Sequence, residues 1–77
     1  MTIGERAVKA ICDRAKANGT TDIIECAFLG INPRTLEDWK KRYNPSTYFL
    51  QQMVYHGYDV IWILTGEEGH DLQKHSN

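Results

Sequence analysis

Cysteine is scarce in this chain, with only Cys12 and Cys26 among 77 residues. Two thiols without a C-x-x-C pair or matching histidine spacing support neither a disulfide framework nor a zinc site. They read as small buried hydrophobes. Long apolar runs are also missing. "VIWIL", Val60 to Leu64, falls far short of the ~18 to 20 residues that span a bilayer. The opening "MTIGERAVKAICDRAKANG" has no basic segment followed by an apolar one, so it does not read as a signal peptide, and a cytosolic protein is expected. Excess positive charge is lacking too: a net charge of −1 argues against a uniformly basic nucleic-acid binder. No Asn-Gly or Asp-Gly pair joins two alternating apolar runs, so nothing requests a β-hairpin.

Catalytic and metal-binding sets are equally thin. No Ser/His/Asp or Cys/His combination stands out, and a chain this short leaves little room for a deep cavity. "TGEEG", Thr65 to Gly69, has no lysine and is not a phosphate-binding loop. His70, His75, Glu67, Glu68 and Asp71 are metal-capable types, but without zinc-like spacing. His56 falls at a helix end and suits interaction with the helix C-terminus. The expectation is no enzyme, no cofactor and no metal.

What is present is a hydrophobic fraction of 42%, enough for one small core that buries roughly 60% of the unfolded surface. The expected domain covers residues 1–66, with residues 67–77 as a polar tail or the start of a linker. Charge is unevenly distributed. Through residue 56 the bases Arg6, Lys9, Arg14, Lys16, Arg34, Lys40, Lys41 and Arg42 outnumber the acids, whereas beyond it Lys74 faces Asp59, Glu67, Glu68 and Asp71. Such a division can orient the basic part toward phosphate.

Helical spacing recurs along the chain. Val8, Ile11, Cys12 and Ala15 make one stripe of a first helix, with Arg6, Lys9, Asp13, Arg14 and Lys16 outward. Asn18-Gly19 ends it, and Thr20, Thr21 or Asp22 caps a second helix, about 22 to 29. Ile23, Ile24, Cys26, Ala27, Phe28 and Leu29 surround that helix and predict that it is largely buried. Gly30 breaks it; Asn32 as cap and Pro33 at the first position start a third helix, about 33 to 42. Leu36 and Trp39 hold this helix, with Tyr43 a possible addition. Pro45 marks a turn. Phe49, Leu50, Met53 and Val54 then predict a fourth helix, and Asp59 caps a fifth with Val60, Ile63 and Leu64 inward. Trp39, Trp62, Phe28 and Phe49 read as core aromatics; Tyr55, Tyr58 and Ile61 suit an exposed apolar patch. The fold class is all-α, a compact bundle of four or five short helices.

Helices two and three, joined by a tight glycine turn with Leu29, Ile31, Leu36 and Trp39 around it, have the pattern of a helix-turn-helix. Here the chain resembles a known family. "NGTTDIIECAFLGINPRTLEDWKKR" and "NPSTYFLQQMVYHGYDVIWILTGEEG" look like the N-terminal DNA-binding domain of phage CI-type repressors, in the lambda-repressor-like group. The resemblance covers roughly residues 5 to 69. It rests on Leu29-Gly30-Ile31, Thr35-Leu36, Trp39-Lys40, Pro45 and the closing "WILTGEEG". It implies a transcriptional regulator in the bacterial cytoplasm that binds double-stranded operator DNA as a homodimer, through the helix-four and helix-five surface or a separate C-terminal domain. Glu25 departs from the pattern, standing where the family usually has an apolar core residue. Either Ile24 and Phe28 take over the core face, or Glu25 sits at the edge of the core with a partner. Cys26 replaces the usual alanine.

The resemblance places Asn32, Pro33, Arg34, Glu37, Asp38 and Lys41 toward the major groove. Arg34 suits guanine, and Glu37 or Asp38 suits cytosine N4. Lys40, Lys41 and Arg42, with Thr35, Thr20 and Thr21, suit phosphates. A plainer reading needs no DNA: Glu37 with Lys41 and Asp38 with Arg42 are acid-first i, i+4 pairs that stabilise a solvated helix. A helix-turn-helix-like module that binds another regulator is the alternative function.

Overall fold

Thr2 opens the first helix with a reciprocal pair of bonds. Its hydroxyl oxygen accepts from the Glu5 N–H at 3.1 Å, and the Glu5 carboxylate accepts from the Thr2 N–H at 2.8 Å. Two donors that a helix start leaves unpaired are thereby satisfied. The computed structural model describes residues 1–67. Five helices follow in order: α1 (Ile3–Asn18), α2 (Asp22–Leu29), α3 (Pro33–Lys41), α4 (Thr47–Tyr55) and α5 (Val60–Thr65). No strand occurs among the described residues, so the chain is an all-α bundle and "VIWIL" is helical. The metal-capable Glu68, His70, Asp71 and His75 lie outside the described residues, as does the expected tail from residue 68.

α1 is the central strut, packed against α2, α3 and α5. Its buried line is Gly4, Ala7, Ile11 and Ala15, with Val8 and Cys12 half-buried beside it. The stripe expected around Val8 and Cys12 is therefore rotated toward the smaller residues. Small side chains let another backbone come close. A Cβ on Gly4 would lie 2.6 Å from the Trp39 carbonyl oxygen and nearer still to that of Tyr43. The C-terminal end of α3 thus rests on the first turn of α1, and the Asn44 side-chain oxygen accepts from the Gly4 N–H at 3.2 Å.

Two arginines expected to face outward instead bind helix ends. Arg6 Nε donates to the Ile63 carbonyl at 2.8 Å, and its terminal nitrogens donate to Met1 and Leu64 carbonyls at 2.7 and 3.2 Å. It ties the start of α1 to the last turn of α5, whose carbonyls have no helical partner. Arg14 donates to the His56 carbonyl, and its guanidinium lies 3.6 Å from the centre of the Tyr58 ring. Neither cation is an open surface charge.

The core joins Ala7 and Ile11 of α1 to Cys26, Leu29, Ile31, Leu36, Trp39, Met53, Tyr58 and Ile63. Each large aliphatic member contributes roughly 1.5 to 3 kcal/mol by leaving water. Trp39 meets the Phe49 ring edge-on, with centroids 5.7 Å apart. Three expectations fail. Tyr58 is buried beneath Arg14 rather than exposed, and Val54 and Leu64 are exposed rather than inward. α2 is not largely buried: only Glu25, Cys26 and Leu29 are, while Ile23, Ile24 and Phe28 are 59%, 45% and 64% exposed. The helix packs by one stripe, and among the described residues no element covers its other side.

Candidate nucleic-acid interface

The turn between α2 and α3 follows from its residues. Gly30 takes a left-handed φ of 72°, ending α2, and the Ile31 N–H returns to the Cys26 carbonyl at 2.8 Å. This is the 6→1 closure of a helix, which needs a residue tolerant of positive φ at the glycine. Ile31 then enters the core, 4% exposed. The Asn32 side-chain oxygen accepts from the Arg34 N–H at 2.9 Å, and Pro33 follows at the first helical position. The start of α3 is therefore set by a cap, a ring-constrained φ and a buried anchor in succession.

α3 is held by Leu36 and Trp39, each 2% exposed. Arg34, Glu37, Asp38 and Lys41 follow at i, i+3, i+4 and i+7, which puts them on the helix side opposite those anchors. Asn32, Pro33, Arg34, Glu37, Lys40, Lys41 and Arg42 are exposed, and Thr35 and Asp38 are half-exposed. α3 and its C-cap Arg42 carry four bases and two acids.

The charge pairing differs from the expected pattern. Glu37 bonds Lys40 at 2.8 Å, an i, i+3 pair, rather than Lys41. Its carboxylate holds the Lys40 ammonium above its ordinary pKa. No Asp38–Arg42 ion pair forms among the described residues; the Arg42 N–H donates to the Asp38 backbone carbonyl, and the Arg42 guanidinium lies 5.6 Å from the centre of the exposed Tyr43 ring. A cap residue leaving the helix turns its side chain off the i, i+4 line, which removes the geometry such a pair requires. Tyr43 accordingly does not join Leu36 and Trp39 in the core.

Thr20 and Thr21 lie at the start of α2 and are engaged within the fold. Thr21 is the N-cap, its hydroxyl oxygen accepting from the Ile24 N–H at 3.3 Å. The Thr20 hydroxyl donates to Glu25 at 3.3 Å. Glu25, 3% exposed, also receives the Asn18 amide at 2.9 Å. Of the two arrangements open for Glu25, the partnered carboxylate is the one formed, and Ile24 and Phe28 stay outside the core. A partnered Glu25 is affordable because buried polar groups cost least when their bonds are made.

Sequence reasoning missed the capping box, although Thr2 and Glu5 stand at the required spacing. It also missed the exposed apolar side of α2, since Ile23, Ile24 and Phe28 signal burial by type alone. Comparison with protein-family models, with curated proteins and with solved structures finds no match to this chain.

Proposed function

We propose that this chain is a sequence-specific DNA-binding transcriptional regulator of the phage-repressor type, which reads double-stranded operator DNA with α3 in the bacterial cytoplasm. The observation that carries the reading is the exposed polar side of α3, set by the Gly30 turn and held from behind by Leu36 and Trp39. A helix with side chains, about 10 to 12 Å across, matches a major groove about 12 Å wide. Arg34 and Lys41 lie along the middle of that side. The mechanism is occupancy, a bound homodimer blocking or recruiting polymerase. Val54, Tyr55, Ile61 and Leu64, exposed on α4 and α5, supply apolar area for dimer contacts. Two-fold symmetry sets half-sites ~34 Å apart, or a multiple of that spacing.

The test is selection from a random duplex pool followed by a salt titration on the enriched sequence. Groove binding requires an enriched motif and a log K that falls with log salt by about 0.9 per phosphate contacted. A pool that yields no motif sinks the reading.

A second reading, a module that binds another regulator, draws on α2. Ile23, Ile24 and Phe28 give that helix an open apolar side, and the side chains of protein interfaces are of this kind. It predicts no enriched DNA motif, together with loss of partner binding on Phe28→Glu.

A further inference from the structure

Four of the five charged side chains of α3 form two pairs that the helix treats in opposite ways, with Lys41 the fifth. Glu37 and Lys40 are bonded at 2.8 Å and run acid before base, the order the helix dipole favours. Arg34 and Asp38, also one turn apart, run in the reverse order. Arg34 is the second residue of α3, where a cation meets the positive end of the helix; Asp38 begins the last turn, where an anion meets the negative end. Among the described residues, no ion pair or side-chain hydrogen bond engages either group. A short helix gains nothing in isolation from two charges set against its own dipole. Local conflicts of this kind are expected where a surface is shaped for a ligand.

Resting on the DNA-binding reading above, we infer that Asp38, not Glu37, is the acidic base reader of α3, accepting from cytosine N4 close to a guanine held by Arg34. The groove chemistry makes the choice of base. An ionised carboxylate only accepts. Adenine offers an N6 donor beside an N7 acceptor that repels a carboxylate, whereas cytosine offers its N4 donor alone. Guanine offers O6 and N7 together, which match the arginine fork. Residues one helical turn apart are separated by about 6 Å along the axis, and base pairs by about 3.4 Å. The guanine and the cytosine therefore fall within about two base steps. Glu37 stays with Lys40 and carries no base preference.

The experiment selects binding sites from a random duplex pool with the full chain, with Asp38→Asn and with Glu37→Gln. Both variants are near-isosteric and lie on the helix surface; circular dichroism checks their folding. The wild type is expected to enrich guanine and cytosine within about two steps. An asparagine amide matches adenine N6 and N7, so Asp38→Asn is expected to move the cytosine position to adenine by about tenfold, and Glu37→Gln to leave the motif unchanged. Replacing that cytosine by N4-methylcytosine puts a methyl group where the carboxylate accepts, and is expected to weaken wild-type binding by about tenfold. A sharp wild-type motif that Asp38→Asn leaves unaltered, or that Glu37→Gln shifts instead, overturns this inference and leaves DNA binding standing. No wild-type motif at all overturns both.

Discussion

The side-chain amide of Asn18, the last residue of α1, donates to the buried carboxylate of Glu25 in α2 at 2.9 Å. The same oxygen receives the Thr20 hydroxyl at 3.3 Å, so one acceptor ties the end of α1, the connecting turn and α2 together. Removing the acceptor leaves those donors without it and opens space in a packed region. Glu25→Ala is expected to cost about 1 to 3 kcal/mol, the penalty of stranded polar groups. Glu25→Gln, which keeps an acceptor oxygen, is expected to cost less. Urea unfolding of the two variants and of Asn18→Ala measures this. A Glu25→Ala protein as stable as wild type shows the junction to be unimportant.

Gly4 is a packing requirement. Its φ is negative, so no turn demands glycine, and alanine is the better helix former by about 1 kcal/mol. The opposing fact is the 2.6 Å that a Cβ would leave to the Trp39 carbonyl oxygen, with the Tyr43 oxygen closer. Both obstacles are backbone atoms that cannot rotate away. Gly4→Ala is expected to be net destabilising, by about 1 to 3 kcal/mol as overpacked sites usually are. Thermal unfolding decides it; a higher midpoint would mean that α3 yields at no cost.

The helices were legible because caps and breakers stand at each boundary. Asn32-Pro33 and Gly30 fix where α3 starts, and the structure uses Asn32 as cap, Pro33 at the first position and Gly30 at positive φ. Leu36 and Trp39 were legible as its anchors for the same reason: they are the apolar pair on an otherwise polar helix. What periodicity does not reveal is which side of a mostly apolar helix meets the core. α2 buries Glu25 and exposes Phe28, because Asn18 and Thr20 offer that carboxylate its hydrogen bonds from outside the helix. Helical spacing points Arg6 and Arg14 outward, yet their partners include the Ile63 and His56 carbonyls, 57 and 42 positions away in sequence and beyond the reach of any local pattern. The pairing of Glu37 with Lys40 rather than Lys41 is a rotamer choice that spacing leaves open.

Alkaline pH is expected to loosen the fold through Cys26. Burial pushes this thiol from 9.0 up to about 11, helped by the Asp22 carboxylate. The folded state therefore holds the proton more tightly than the unfolded chain. Its contribution is fully present below the unfolded value of 9.0 and is lost as pH rises through about 11. The loss is on the order of 2 kcal/mol. Tyr58, raised chiefly by burial from 10.0, adds in the same direction. Urea midpoints taken across this range should fall for the wild type and fall less steeply for Cys26→Ala. Parallel curves for the two proteins would remove Cys26 from the account.

Arg34 and Lys41 share the middle of the exposed side of α3 but lie at its two ends, and groove binding assigns them different work. Arg34 leads from the capped N-terminus, where a side chain meets base edges; Lys41 closes the helix beside Arg42, where the groove wall passes. A bidentate arginine contact discriminates between bases by ~1 to 3 kcal/mol, whereas a lysine at a phosphate adds affinity without preference. Arg34→Ala is thus expected to flatten the preference at one position of the enriched motif. Lys41→Ala is expected to weaken binding to all sequences alike and to reduce the salt slope by about 0.9. Fluorescence-anisotropy titrations on matched and mismatched duplexes at several salt concentrations separate the two. If Lys41→Ala alters sequence preference, or Arg34→Ala lowers affinity uniformly without changing preference, α3 lies in the groove in another orientation.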